Sequence, residues 1–172
     1  GILVTWTNGA GTNPGIHFAI VNSATGDVTT PDSLLPNTDV TDFASDVIAL
    51  KNGGFAVVKH DDNNGATDQD SDLLFYNSAG VFQTSVALGN NSIKDERFPA
   101  VTVLANGNVA VAYEQEISDG SGVYGMNIEI YSQTGGLVLD QTPFDVLGQN
   151  LNPDIVALKD GGFAVAYQDT GT

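Results

Sequence analysis

The chain contains no cysteine, which excludes disulfides and thiolate metal sites and leaves packing to hold the fold. Basic residues are nearly as scarce. Five Lys or Arg face 21 Asp or Glu, a formal charge of −16. Phosphate backbones and anionic bilayers are recognised by clustered cations, so nucleic acid is excluded as a partner. No run approaches the roughly 18 apolar residues of a membrane-spanning helix, so membrane insertion is not expected either. Helix signals are missing: no apolar segment follows a 3.6-residue period between caps. There is no G-x-S-x-G elbow, no His-Glu-x-x-His and no phosphate-cradling glycine loop. An initiator methionine is absent as well. Gly1 opens directly into Ile2-Leu3-Val4, which reads as a piece of a larger protein.

What is present is a repeat. Leu50-Lys51-Asn52-Gly53-Gly54-Phe55-Ala56-Val57 returns 54 residues later as Leu104-Ala105-Asn106-Gly107-Asn108-Val109-Ala110-Val111. It returns again as Leu158-Lys159-Asp160-Gly161-Gly162-Phe163-Ala164-Val165. A fixed period of this size marks an array of supersecondary units. Each unit divides into four short apolar runs. The first is Val47–Leu50, Val101–Leu104 or Ile155–Leu158, with Pro99 and Pro153 just ahead of two of them. An Asn-Gly or Asp-Gly pair follows, which predicts a two-residue type I′ hairpin. The second run, Phe55–Val58, Val109–Tyr113 or Phe163–Tyr167, is small and β-branched, as in a strand buried on both faces. The third is Phe18–Val21, Leu73–Tyr76 or Ile128–Tyr131. The fourth runs through Val28–Thr30, Val81–Val86 or Leu137–Asp140.

Four antiparallel strands per unit of this length predict an all-β fold, a β-propeller built from four-stranded blades. The phase divides the chain into a half blade over 1–45, blades over 46–98 and 99–152, and a half blade over 153–172. Propellers close with at least about four blades, so the array is partial or open. The expected partners are the remainder of a larger chain or further copies of this one. A β-solenoid is the competing architecture, but its coils are shorter and lack a hairpin signal in every repeat.

Asp154 through Tyr167 resembles the "P-x-[IV]-A-x-L-x-D-G-G-F-V-V-x-W" unit of large secreted bacterial proteins of the RTX-like and adhesin type. Ser118-Asp119-Gly120-Ser121-Gly122-Val123-Tyr124-Gly125 is similar to their "D-G-S-G-x-x-[IV]-Y" loop, and Tyr131 through Gly135 to their "[FY]-D-x-x-G" turn. The calcium nonapeptide G-G-x-G-x-D of that family is absent. The resemblance implies an extracellular or cell-surface location.

One segment stands out chemically. Between the second and third strands of one unit lie Asp61, Asn63, Asp68, Asp70 and Asp72. Calcium takes six to eight oxygens from flexible ligands, and alternating aspartates turn carboxylates toward one point. These five are the candidate ligands of a calcium ion, with a solvated acidic loop as the other reading. An EF-hand is excluded, because Ala66 stands where its glycine belongs and no helices flank the segment. Trp6, Tyr113 and Tyr167 share one repeat position with Lys59. Their rings are candidates for stacking on sugars, or for core packing. His17 and His60 fall in different repeats and do not form a transition-metal cluster. The expected function is a non-catalytic extracellular binding or structural module, calcium-stabilised, whose partners are glycans or other surface proteins. The alternatives are a lectin-like propeller and part of an extracellular hydrolase propeller.

Overall fold

The computed structural model describes residues 1–9, 12–38, 41–61, 69–90, 93–141 and 149–171. The fold is all-β with antiparallel sheets. The first sheet holds β1 (Ile2–Asn8), β2 (Gly15–Val21) and β3 (Val28–Leu34). The second holds β4 (Phe43–Ala49), β5 (Phe55–Asp61), β6 (Asp70–Tyr76) and β7 (Phe82–Ala87). The third holds β8 (Glu96–Val103), β9 (Val109–Glu116), β10 (Tyr124–Tyr131) and β11 (Leu137–Gln141). The fourth holds β12 (Asn150–Ala157) and β13 (Phe163–Asp169). Within each sheet, strands neighbour one another in chain order.

The Asn/Asp-Gly hairpins form where the repeat places them, but with a different turn. Gly53, Gly107 and Gly161 have φ of 87°, 91° and 96°, whereas Asn52, Asn106 and Asp160 are not left-handed. Gly53 N–H donates to Leu50 O and Leu50 N–H to Gly54 O, and the other two copies repeat the pattern. This is a three-residue loop ending in a left-handed glycine, not a type I′ pair. The side chains explain the choice. Asn52, Asn106 and Asp160 each use Oδ1 to accept from the backbone N–H two residues on. That bond suits a residue of negative φ at the third turn position.

The prolines also depart from expectation. β8 and β12 begin earlier than their apolar runs, so Pro99 and Pro153 fall inside strands. Both lie at register shifts, between Arg97 and Ala100 and between Leu151 and Asp154. A bulge has no ladder bond for the missing N–H to spoil.

The sheets stack face to face with a core in each interface. In the first interface Ile16 and Phe18 meet Phe55, Val57, Leu74 and Tyr76. The Phe55 and Tyr76 rings stack at 4.7 Å, and Phe18 lies 5.3 Å from Tyr76. In the second, Ala56, Val58, Leu73 and Phe75 meet Val109, Val111, Tyr113 and Tyr131. In the third, Ala110, Ala112, Met126 and Ile128 meet Ile155, Phe163 and Val165. Alternate residues of β5 and β9 serve opposite interfaces, which is why these runs lack a polar face. Each fully buried Val, Leu or Phe contributes about 1.5–3 kcal/mol. The first strands of successive units, β4, β8 and β12, pack in a row, with β8 touching both others.

Candidate functional site

The bulges in β4, β8 and β12 come together. They border a cleft of about 500 Å³ lined by Phe43, Asp46, Phe98, Pro99, Ala100, Asn152, Pro153 and Asp154. Asp46, Ala100 and Asp154 occupy one repeat position, as do Phe98 and Asn152. The repeat thus brings equivalent residues of three units to one opening. Among the described residues its lining carries two carboxylates and no cation.

Asp46 is held firmly. Oδ1 accepts from Val47 N–H at 2.7 Å, and Oδ2 from Val101 N–H of β8 at 3.2 Å. Asp154 is exposed on β12. Asn152 has φ 54° and Phe98 φ 48°. Asparagine tolerates that region, and a bulky aromatic rarely enters it. Phe98 lies flat against His60 of β5, with centroids 5.4 Å apart, and His60 meets Phe43 at 4.8 Å. Behind the cleft, Glu114 accepts from Asn152 N–H at 2.7 Å and from Arg97 at 2.9 Å. The Arg97 guanidinium also sits 3.4 Å from the centre of the Tyr124 ring. Glu114 therefore neutralises Arg97 and ties β12 to β9.

Of the five expected calcium ligands, Asp61, Asp70 and Asp72 are described. Asn63 and Asp68 lie outside the described residues. Asp61 and Asp72 face Lys59, whose Nζ is 3.0 Å and 3.4 Å from their carboxylates and 3.5 Å from Asp42. Lys59 also donates to Asn37 O at 2.9 Å. Asp70 pairs in register with Asp61 at the strand ends. An ammonium stands where Asp61 and Asp72 converge. Among the described residues no three acidic or imidazole side chains form a metal-binding group.

Burial alone would lower the pKa of Lys59, but Asp72, then Asp61 and Asp42, raise it above the usual value. The Asp72 carboxyl is also raised, first by burial and then by Asp61 and Asp70, against the pull of Lys59. A simple ion pair would move the two apart. Here burial raises Asp72 against the pull of Lys59, while the surrounding carboxylates raise Lys59, so both groups favour their protonated forms.

The three predicted aromatics are not brought together. Trp6 stacks on His17 at the outer face of the first sheet, with centroids 5.7 Å apart. Tyr113 is fully enclosed in the second interface, the packing role. Tyr167 is exposed on β13. His17 places Nδ1 2.5 Å from Asp32 Oδ1 and Nε2 2.9 Å from Asn13 O. Both partners are acceptors, an arrangement that favours the doubly protonated ring. The Asn13 carbonyl first, then Asp32, raises its pKa. Sequence reasoning missed Asp46, Phe98 and Asp154. The signal was available in the repeat phase, since Phe98 and Asp154 flank the bulges that Pro99 and Pro153 mark and Asp46 holds the equivalent position in β4.

No protein-family model and no curated protein sequence matches the chain. Among solved structures, an endo-arabinase from Bacteroides thetaiotaomicron matches with a TM-score of 0.52 at 12% identity, over 96% of this chain and 64% of that one. An alpha-L-arabinanase from Penicillium chrysogenum, complexed with arabinobiose, gives 0.48 at 14% identity, over 89% and 49%. The chain thus spans less than two thirds of the length of either. The first likeness supports a β-propeller-like fold. It also corrects the expected function. The solved structure whose architecture it shares is an endo-arabinase, which counts against the expected non-catalytic adhesin module.

Proposed function

We propose that this chain is part of an extracellular propeller that hydrolyses a neutral glycan, with its sheets as blades and the cleft between β4, β8 and β12 as part of the active site. The observation that carries this reading is the convergence of Asp46 and Asp154 on one opening bordered by Phe43 and Phe98. Glycoside hydrolysis needs two carboxyl groups flanking the scissile bond. One donates a proton to the leaving oxygen. The other activates water or attacks the anomeric carbon, the C–O bond to the leaving sugar breaks, and a water oxygen ends on that carbon. Asp46, fixed by two backbone donors, and Asp154, open to solvent, are the pair available here. The fold shared with an endo-arabinase makes linear arabinan the first substrate to test.

The test is reducing-end release from linear arabinan and other neutral polysaccharides by the 172-residue chain. Release is expected, and Asp46→Asn and Asp154→Asn are each expected to cut it at least about 100-fold, Asp154→Asn at unchanged melting temperature and Asp46→Asn at a lowered one, since an amide has one acceptor for the two backbone N–H groups that Asp46 holds. Equal release by the wild type and both variants would remove the carboxylates from the mechanism. No release and no binding across the set would overturn the reading.

A further inference from the structure

Phe98 combines two features that oppose stability. Its φ of 48° is left-handed, and it leaves 39% of its surface exposed at the cleft. Such a backbone costs a bulky residue of order 1–3 kcal/mol. The same repeat position in the next unit shows what relieves that cost. Asn152 adopts φ 54° there, and asparagine is at ease in this region. A chain shaped by folding alone would carry asparagine at both places.

The ring is not a loose surface group. One face lies on His60, whose ring is nearly parallel at 16°, and His60 in turn contacts Phe43. The bulge between Arg97 and Ala100 sets this orientation. A planar, rigid, apolar face therefore stands at the mouth of an opening lined by carboxylates, and the one cation beside the ring, the Arg97 guanidinium 5.4 Å from its centre, is already paired with Glu114. Carboxylates accept hydrogen bonds from hydroxyls. In a chain of charge −16 they also repel anions. A ligand with an apolar ring face and hydroxyls at its edge, without negative charge, satisfies all of these conditions.

We infer that Phe98 is the stacking platform for a neutral sugar ring in this cleft, held strained by the β8 bulge. The inference rests on the proposed glycan-directed reading and names the residue that selects the ligand class. Its test is binding of uncharged arabino-, xylo- and galacto-oligosaccharides, with oligogalacturonate as the anionic control, alongside thermal melts. Phe98→Asn is expected to weaken binding of the preferred sugar roughly tenfold while leaving the melting temperature equal or higher. Phe98→Trp should retain binding. Phe98→Leu, which keeps apolar bulk on His60 without a ring face, should lose binding while staying folded. If the wild-type chain binds a neutral sugar and Phe98→Asn binds it equally well, this inference alone falls. If oligogalacturonate binds as tightly as the neutral sugars, the ligand class is wrong. If the wild type binds none of them, the inference and the glycan reading fall together.

Discussion

At the first interface between sheets, Lys59 meets Asp42, Asp61 and Asp72. At the second, the residues one repeat later are Tyr113, Glu96, Gln115 and Asn127. Asn127 donates to the Tyr113 hydroxyl at 2.5 Å, and Gln115 donates to Glu96 at 2.9 Å. Glu129, which replaces the apolar Leu74 of the first interface, accepts from Tyr131 at 2.5 Å and from Gly89 N–H at 3.3 Å. The backbone frame is the same, and the buried acids are served differently. The first interface sets one ammonium among three carboxylates. The second serves Glu96 and Glu129 with amide, hydroxyl and backbone donors. Gly89 fits only as glycine, since its φ is 67° and a side chain there would collide with the Glu96 carboxylate. The repeat transmits the strand pattern faithfully and leaves the polar chemistry of each interface free to differ.

Lys59→Met should produce the largest effect. It leaves the buried carboxylates without their cation, at a cost of about 3–5 kcal/mol in denaturant unfolding. The comparison is sharpened by transplanting the other solution. Lys59→Tyr, Asp61→Gln and Asp72→Asn together should recover most of that loss, because a buried ion cluster replaced as a whole is often neutral. A triple variant as unstable as Lys59→Met would show that the two interfaces are not interchangeable. Tyr113→Phe is expected to cost less, about 1–3 kcal/mol, by leaving Asn127 and Glu129 short of a partner.

The pH dependence tests the same contrast from the side of the protons. Asp72 and Glu129 both have raised pKa values, each chiefly through burial. A raised carboxyl contributes stability below its unfolded value, and the contribution is lost as pH rises through its folded value. His17 is raised as well, so its contribution is present below about 6.5 and lost as pH climbs through its folded value. All three groups have the same sign. The melting temperature should therefore rise as pH falls from 8 toward 5, and a fall over that window would contradict these assignments. Lys59 acts at the other end. Its contribution is intact below its ordinary value of 10.5 and lost as pH rises through the raised one.

The strand order and the two-faced burial of β5 and β9 were legible in the sequence, because a 54-residue period repeats both the hairpin and the apolar runs. The turn type was not. Asn-Gly favours a type I′ turn as a dipeptide, but the Asn52 side chain closes a bond to Gly54 N–H that selects another loop. The acidic segment invited a metal because the aspartates are adjacent in sequence. Lys59 reaches them from the neighbouring position on β5, and register across the β5–β6 pair is invisible in a linear reading. Tyr113 looked like Trp6 and Tyr167 because it shares their phase. Only the presence of sheets on both sides makes it core. The cleft was hidden for the opposite reason. Its residues come from three units, and only the stacking of β4, β8 and β12 unites them.

The most direct measurement is the rate of reducing-end release from linear arabinan by the wild-type chain beside Asp46→Asn and Asp154→Asn. A cleft that works as an active site predicts turnover by the wild type and its near-complete loss in both variants, with the melting temperature of Asp154→Asn unchanged. Turnover that survives both substitutions would contradict it.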